Sequence, residues 1–170
     1  MTVFVALLRA VNVGGTGKLP MAELKAMCGK LGFTKVQTYI ASGNVLFESR
    51  KSERAVKELL EAALQKYAGK PVGVMVRTPA ELAGVVEGNP FPQQPAKWTV
   101  AIFLDEPPPK DALDHVRGAN GEEVRLGKRE IYVHYGSGMA RSKLKVPAGA
   151  AGTARNMNTV AKLAELGAKL

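Results

Sequence analysis

One cysteine and two histidines are all that these 170 residues offer to thiol and imidazole chemistry. Cys28 has no partner for an internal disulfide, and its solitude rules out a multi-cysteine zinc site. His115 and His134 would need remote carboxylates to complete a metal centre. No uninterrupted apolar run approaches ~20 residues, so no membrane-spanning helix is expected. The opening Met1-Thr2-Val3-Phe4-Val5-Ala6-Leu7-Leu8 lacks a basic n-region and reads as a β-strand rather than a signal peptide, which places the chain in the cytoplasm. Serine chemistry has no evident base: Ser42 sits in a Ser-Gly-Asn sequence that forms a turn without any catalytic role. Asp105, Glu106, Asp111, Glu122, Glu123 and Glu130 have no spacing that enforces paired-carboxylate chemistry and read as solvated faces. No cofactor is implied.

What is present is an apolar fraction of 46% in a chain long enough to bury a substantial core, as one domain or as two small subdomains. The charge is lopsided. Twenty-four basic residues against 15 acidic ones give +9, and the bias is strongest from Met139 to Leu170, where six lysines and arginines face a single acid, Glu165. Such a balance favours contact with a polyanion or an acidic small molecule.

The hydrophobic pattern orders the first half. Residues 2–8 form a strand; Met21, Leu24, Met27, Cys28 and Leu31 recur at helical spacing, and Gly32 is placed to end that helix in a left-handed conformation. Residues 36–40 and 45–47 read as a hairpin around Ala41-Ser42-Gly43-Asn44, followed by a helix carrying Val56, Leu59, Leu60, Ala63, Leu64 and Tyr67 and by a strand at 72–76. The order β-α-β-β-α-β is that of a ferredoxin-like unit. Thr78-Pro79-Ala80-Glu81 combines an N-cap, a proline at the first helical position and a capping-box glutamate, predicting a helix to about Val86. A strand at 98–104, a short helix near 110–117, a hairpin from 122–126 and 130–135, and a terminal helix from Asn156 or Asn158 complete the chain. The expected fold is mixed α/β (α+β): two ferredoxin-like subdomains with antiparallel-rich sheets, 1–77 and 78–170, the second incomplete or modified.

Two polar clusters stand out. The first comprises Arg9 at the end of the opening strand, Asn12, and the Gly14-Gly15-Thr16-Gly17-Lys18 segment, with Ser42 and Asn44 of the hairpin as a further rim. Glycine amides between a strand and a helix suit an anion, and Lys18 adds charge. A GxxxxGK[ST] phosphate loop would need glycine at Asn12 and Ser or Thr at Leu19, so the nucleotide-triphosphatase pattern fails at both ends. The second cluster is Arg141, Ser142 and Lys143 with Arg155, Asn156, Asn158 and Thr159 at a helix entrance, where guanidinium groups and helix N–H groups can hold a phosphate or carboxylate. Asn156 or Asn158 can equally cap the helix, and Arg155 can pair internally.

The residues support an anionic small ligand bound in a basic, amide-rich cleft. Single-stranded nucleic acid stacked on Tyr132 is an alternative, as are a structural or protein-partner role and an enzyme acting on a phosphorylated or carboxylated small molecule. Lys18, Lys143 and His134 are the titratable candidates for the last. Open sheet edges leave homo-oligomerisation undecided.

Five ordered segments resemble the DUF1697 family of uncharacterised bacterial proteins: Leu7-Leu8-Arg9-Ala10-Val11-Asn12-Val13-Gly14-Gly15, residues 38–47, Asn89-Pro90-Phe91, residues 138–144, and residues 153–160. Ala10 stands where glycine is usual, and Met157 where tryptophan is frequent. The resemblance implies paired ferredoxin-like subdomains and supplies no catalytic residue set.

Overall fold

The computed structural model describes residues 1–9, 18–136 and 142–170. Its first elements are β1 (Thr2–Leu8), α1 (Met21–Lys30), β2 (Thr34–Tyr39), β3 (Asn44–Ser49), α2 (Glu53–Ala68) and β4 (Val74–Arg77), followed by α3 (Pro79–Glu87). The strands form an antiparallel sheet in the order β2-β3-β1-β4, the ferredoxin-like arrangement expected of the pattern. The second sheet takes β5 (Thr99–Phe103), β6 (Glu123–Leu126), β7 (Glu130–His134) and β8 (Thr153–Asn156) in the order β6-β7-β5-β8, and α4 (Met157–Ala168) ends the chain. The chain packs as two compact units, Met1–Leu82 with Leu163–Leu170 and Ala83–Lys162.

Strand alternation builds the core of the first unit. Phe4, Ala6 and Leu8 of β1, Val45 and Phe47 of β3, and Val74 and Val76 of β4 share one face, against Leu24 and Cys28 of α1 and Val56, Leu60 and Leu64 of α2. Phe33 stacks on Phe47 with ring centroids 4.3 Å apart and planes 6° from parallel. The opposite face, with Val5, Leu7, Leu46 and Met75, is buried as well. That two-sided burial is why β1 reads as a continuous apolar run rather than an alternating one. The last turn of α4 approaches this second face: a Cβ at Gly167 would fall 2.6 Å from Pro79 Cγ and 3.7 Å from Leu46 Cδ2, so only glycine fits.

Gly32 ends α1 with φ 86°, as its place in the sequence predicts, and α2 has caps of its own, with Ser52 Oγ accepting from Ala55 N at 3.1 Å and Gly69 closing the helix with φ 74°. Thr78 and Glu81 form a reciprocal capping box, Glu81 N to Thr78 Oγ1 at 3.2 Å and Thr78 N to Glu81 Oε1 at 2.9 Å. The edge strands of the first sheet are guarded. Glu61 Oε2 accepts the Val74 N–H at 3.0 Å while Lys57 Nζ donates to the Val74 carbonyl at 2.6 Å, and β2 carries a register shift between Thr34 and Gln37 with Lys35 at φ 53°.

The second unit repeats the strand plan with short 3-10 turns, Ala112–His115 and Pro147–Gly149, where the first unit has α1 and α2. These turns flank a smaller core of Val100, Ile102, Leu104, Val124, Ile131 and Val133, against which Val146 and Ala148 pack. This is the modification expected of the second half. Two differences stand out: the short helix near 110–117 is a 3-10 helix at Ala112–His115, and the residues leading into α4, Thr153–Asn156, form the strand β8, which the pattern did not predict. Thr-Ala-Arg-Asn has no apolar alternation because its inward positions, Thr153 and Arg155, are polar and buried.

The internal repeat extends to single residues. Val5 pairs with Arg77 and Ala101 with Arg155, so both arginines sit at one register position, each immediately before the residue that caps the next helix. Each donates Nη1 to the preceding carbonyl, Arg77 to Val76 at 3.0 Å and Arg155 to Ala154 at 2.9 Å. Leu8 N donates to Gly43 O and Leu104 N to Arg129 O, both at 2.8 Å.

Candidate functional site

The end of the first sheet where β1 finishes is built by backbone hydrogen bonds between three segments. Leu8 N donates to Gly43 O at 2.8 Å, fixing the β2–β3 turn beside β1, and Arg9 N donates to Gly73 O at 2.9 Å, fixing the approach to β4. A Cβ at Gly73 would meet Arg9 Cβ at 3.6 Å and Cδ at 3.7 Å, so the arginine stem lies along this glycine. Arg9 is exposed, as is Lys18, which follows a stretch containing three glycines in sequence. Asn12, Gly14 and Gly15 lie outside the described residues.

Asn44 is wholly buried and acts as the clamp of the turn. Its Nδ2 donates to Tyr39 O and to Ser42 Oγ, both at 2.9 Å, while Gly43 takes φ 90°. Ser42 is half-buried. The clamp holds Ile40 at φ 49°, a left-handed conformation that β-branched residues rarely adopt.

The equivalent end of the second sheet carries both signs of charge. Asp105 takes the place of Arg9, Arg129 takes that of Gly43, and Arg129 Nη1 donates to Asp105 O at 3.4 Å. At this position of the strand the first unit carries a cation, Arg9, and the second an acid, Asp105.

The C-terminal residues have mostly internal roles. Asn156 Oδ1 accepts from Thr159 N at 2.9 Å and caps α4, and Thr159 is buried. Arg155 is buried, with Nη1 also donating to Thr153 Oγ1 at 2.9 Å, and burial lowers its pKa to about 10, still charged near neutrality. Ser142 Oγ accepts from Leu144 N at 3.2 Å. Lys143 and Asn158 are exposed, and Arg141 lies outside the described residues. Arg9, Lys18, Ser42 and Asn44 belong to the first unit, and Ser142, Lys143, Arg155, Asn156, Asn158 and Thr159 to the second.

A buried polar chain that the sequence did not reveal crosses the second unit. Thr99 Oγ1 donates to Pro95 O at 3.2 Å and lies 3.1 Å from His134 Nδ1. With the hydroxyl hydrogen directed at Pro95, Nδ1 is the donor, so the pair orients the ring rather than activating the threonine, which is fully buried. Phe91 covers the imidazole at 5.7 Å, and the Arg125 guanidinium lies 5.8 Å from the Phe91 ring. Tyr132 and His134 share a strand face, as alternation requires, and Tyr132 Oη donates to Val85 O at 2.8 Å. Among the described residues no group of three His, Cys, Asp or Glu could hold a metal ion, and no helix is long and apolar enough to cross a membrane.

Burial pushes the Cys28 thiol up to about 12 from 9.0, and burial followed by the Glu130 charge pushes Tyr132 up to about 12 from 10.0. Below about pH 8 both groups are protonated whether the chain is folded or not. As pH rises from there the unfolded chain releases protons that the folded chain keeps, so stability falls. Arg155 acts in the opposite sense only above about 10. Urea midpoints are thus expected to be flat up to about pH 8 and to fall from there towards pH 10, more steeply in the native chain than in Cys28→Ala, where only the tyrosine contribution is left; a Cys28→Ala profile with the same fall contradicts the assignment.

The comparisons agree with this architecture. The chain resembles a conserved bacterial protein, SP0830 from Streptococcus pneumoniae, at 26% identity, with a TM-score of 0.79 over 97% of this chain and 98% of that one. No functionally curated protein matches the sequence. The family described as "Protein of unknown function (DUF1697)" matches residues 1–132, which include the opening, hairpin and Asn-Pro-Phe segments. With more than half its length matched and the paired antiparallel sheets in place, the chain belongs to the DUF1697 family.

Proposed function

We propose that this protein binds a small ligand through a phosphate or carboxylate group at the β1 end of the first sheet, with Arg9 as the principal cation. The observation that carries the reading is the pair of backbone bonds, Leu8 N to Gly43 O and Arg9 N to Gly73 O, which tie the hairpin turn and the approach to β4 to the strand end that bears the exposed Arg9. Arginine suits the role because its planar fork donates to two oxygens of one anion at once. Lys18 contributes long-range attraction, strengthened by the net charge of +9. The reading is a binding function. The hydroxyl, thiol and imidazole groups of Thr99, Cys28 and His134 are buried, and none belongs to this end of the sheet.

Isothermal titration with inorganic phosphate, pyrophosphate and acetate tests the reading. A charge-assisted hydrogen bond is worth about 1.5–3 kcal/mol, so Arg9→Ala is expected to weaken the preferred anion by roughly 10- to 100-fold. A Lys143→Ala/Asn158→Ala control in the second unit should leave affinity within about twofold, a change of under ~0.5 kcal/mol. Equal affinities for the native chain and Arg9→Ala would remove the site from this end of the sheet.

A further inference from the structure

We infer that the second unit carries a separate surface for the phosphate backbone of a single-stranded nucleic acid, formed by Arg117, Lys143 and Lys145. The inference goes beyond the small-anion site and does not rest on it. Its first support is a bridge that sets two cations opposite each other. Arg117 N donates to Lys145 O at 3.0 Å and Lys145 N to Arg117 O at 2.8 Å, an antiparallel pair that exchanges both backbone bonds. Residues so paired have Cα atoms about 5.5 Å apart and side chains on one side of the ladder, where like charges oppose folding.

Alternation sets the direction of the three side chains. Val116, Leu144 and Val146 pack against the core of the second sheet, while Arg117, Lys143 and Lys145, which alternate with them, are exposed. Gly118, at φ 72°, holds the two segments together at Lys143, because a Cβ there would run into the Lys143 carbonyl. The cations therefore share the outer side of one two-segment ribbon within one unit. Among the described residues none of the three forms an ion pair, and residues 10–17 and 137–141 contain no acid to supply one. Asp111, in the turn before Arg117, lies 3.2 Å from His115. A cluster that opposes folding and is neutralised by no side chain suits a chain of phosphates. Cations about 5.5 Å apart follow one backbone rather than the two that border a major groove about 12 Å wide. Tyr132 is buried with its hydroxyl on Val85 O, so it offers no base a stacking face, and the contacts are with phosphates, indifferent to sequence.

The test is the fluorescence anisotropy of a labelled oligodeoxythymidine titrated with the full chain across salt concentrations. Each phosphate contact on a single strand contributes about 0.7 to the slope of log affinity against log salt, so three contribute about 2, or roughly 15- to 20-fold between about 50 and 200 mM salt. Arg117→Ala/Lys143→Ala/Lys145→Ala should lower the slope by about 2. Lys25→Ala/Lys30→Ala/Lys66→Ala removes the same charge from exposed positions of α1 and α2, and it should keep the native slope to within about 0.7, as should Arg9→Ala. Lys145→Glu should weaken the oligonucleotide and raise the melting temperature, because it sets opposite charges across the bridge. No binding of the oligonucleotide, with or without binding of phosphatidylserine vesicles, overturns the inference. So does an equal loss of slope in the two triple variants, which would assign binding to net charge alone. A lower melting temperature in Lys145→Glu would assign Lys145 to packing and overturn it too. Phosphate affinity that depends on Arg9 tests the first site separately and is untouched by any of these outcomes.

Discussion

Phe47→Ala is expected to destabilise the protein by about 3–5 kcal/mol, the range for emptying a buried aromatic site. Phe47 is fully buried, lies opposite Phe4 in the β1–β3 register, and stacks on Phe33 at 4.3 Å while tilting against Phe4 at 6.2 Å. Offset aromatic pairs add about 0.5–1.5 kcal/mol beyond area burial, and the site cannot collapse easily because β1 fixes Phe4 and Phe33 directly precedes β2. Native domains hold only about 5–15 kcal/mol in total, so this change removes a large share. Urea denaturation followed by far-UV circular dichroism measures it. A loss below about 1 kcal/mol would mean that the Phe33-Phe47-Phe4 cluster is not the centre of the first core.

Asn44→Ala carries the second large effect and links stability to the site. The substitution removes both Nδ2 bonds, one to the carbonyl of the half-buried Tyr39 and one to Ser42 Oγ, a loss of about 1–3 kcal/mol for two hydrogen bonds. Because the same amide holds the turn that Leu8 N grips, anion affinity should also fall, although Asn44 is wholly buried and does not itself reach solvent. Denaturation and phosphate titration on the same variant give both quantities. Lost stability with unchanged affinity would separate the turn from the site, and unchanged stability would contradict the clamp.

Much of the fold is legible in the residues, and the exceptions have physical causes. The helices announce themselves through caps that the structure contains as bonds, Ser52, Thr78 with Glu81, and Asn156. The first sheet is legible because Val, Phe and Leu fill both of its buried faces. The strand β8 is not, because Thr153 and Arg155 occupy its inward positions and break the apolar signal. The 3-10 turn at Ala112–His115 has too few residues to carry a helical period, so it reads as a short helix. At the site, Arg9 is conspicuous as a charge ending an apolar strand. Asn44 is a candidate ligand by residue type alone, and only its burial and the two hydrogen bonds from Nδ2 identify it as the clamp. The left-handed Ile40 has no sequence signature at all, since nothing about isoleucine suggests positive φ. Arg77 could have been noticed through the internal repeat, because it precedes the Thr78 cap as Arg155 precedes the Asn156 cap, but that equivalence depends on strand register.

The measurement that bears most directly on the central claim is an amide-resolved NMR titration of the native chain with inorganic phosphate and phenyl phosphate. Saturable shifts concentrated at Leu8, Arg9, Ile40 to Gly43 and Gly73, and abolished in Arg9→Ala, are the expected result. Shifts confined to the surroundings of Lys143 and Asn158, or no saturable shift at all, would contradict it.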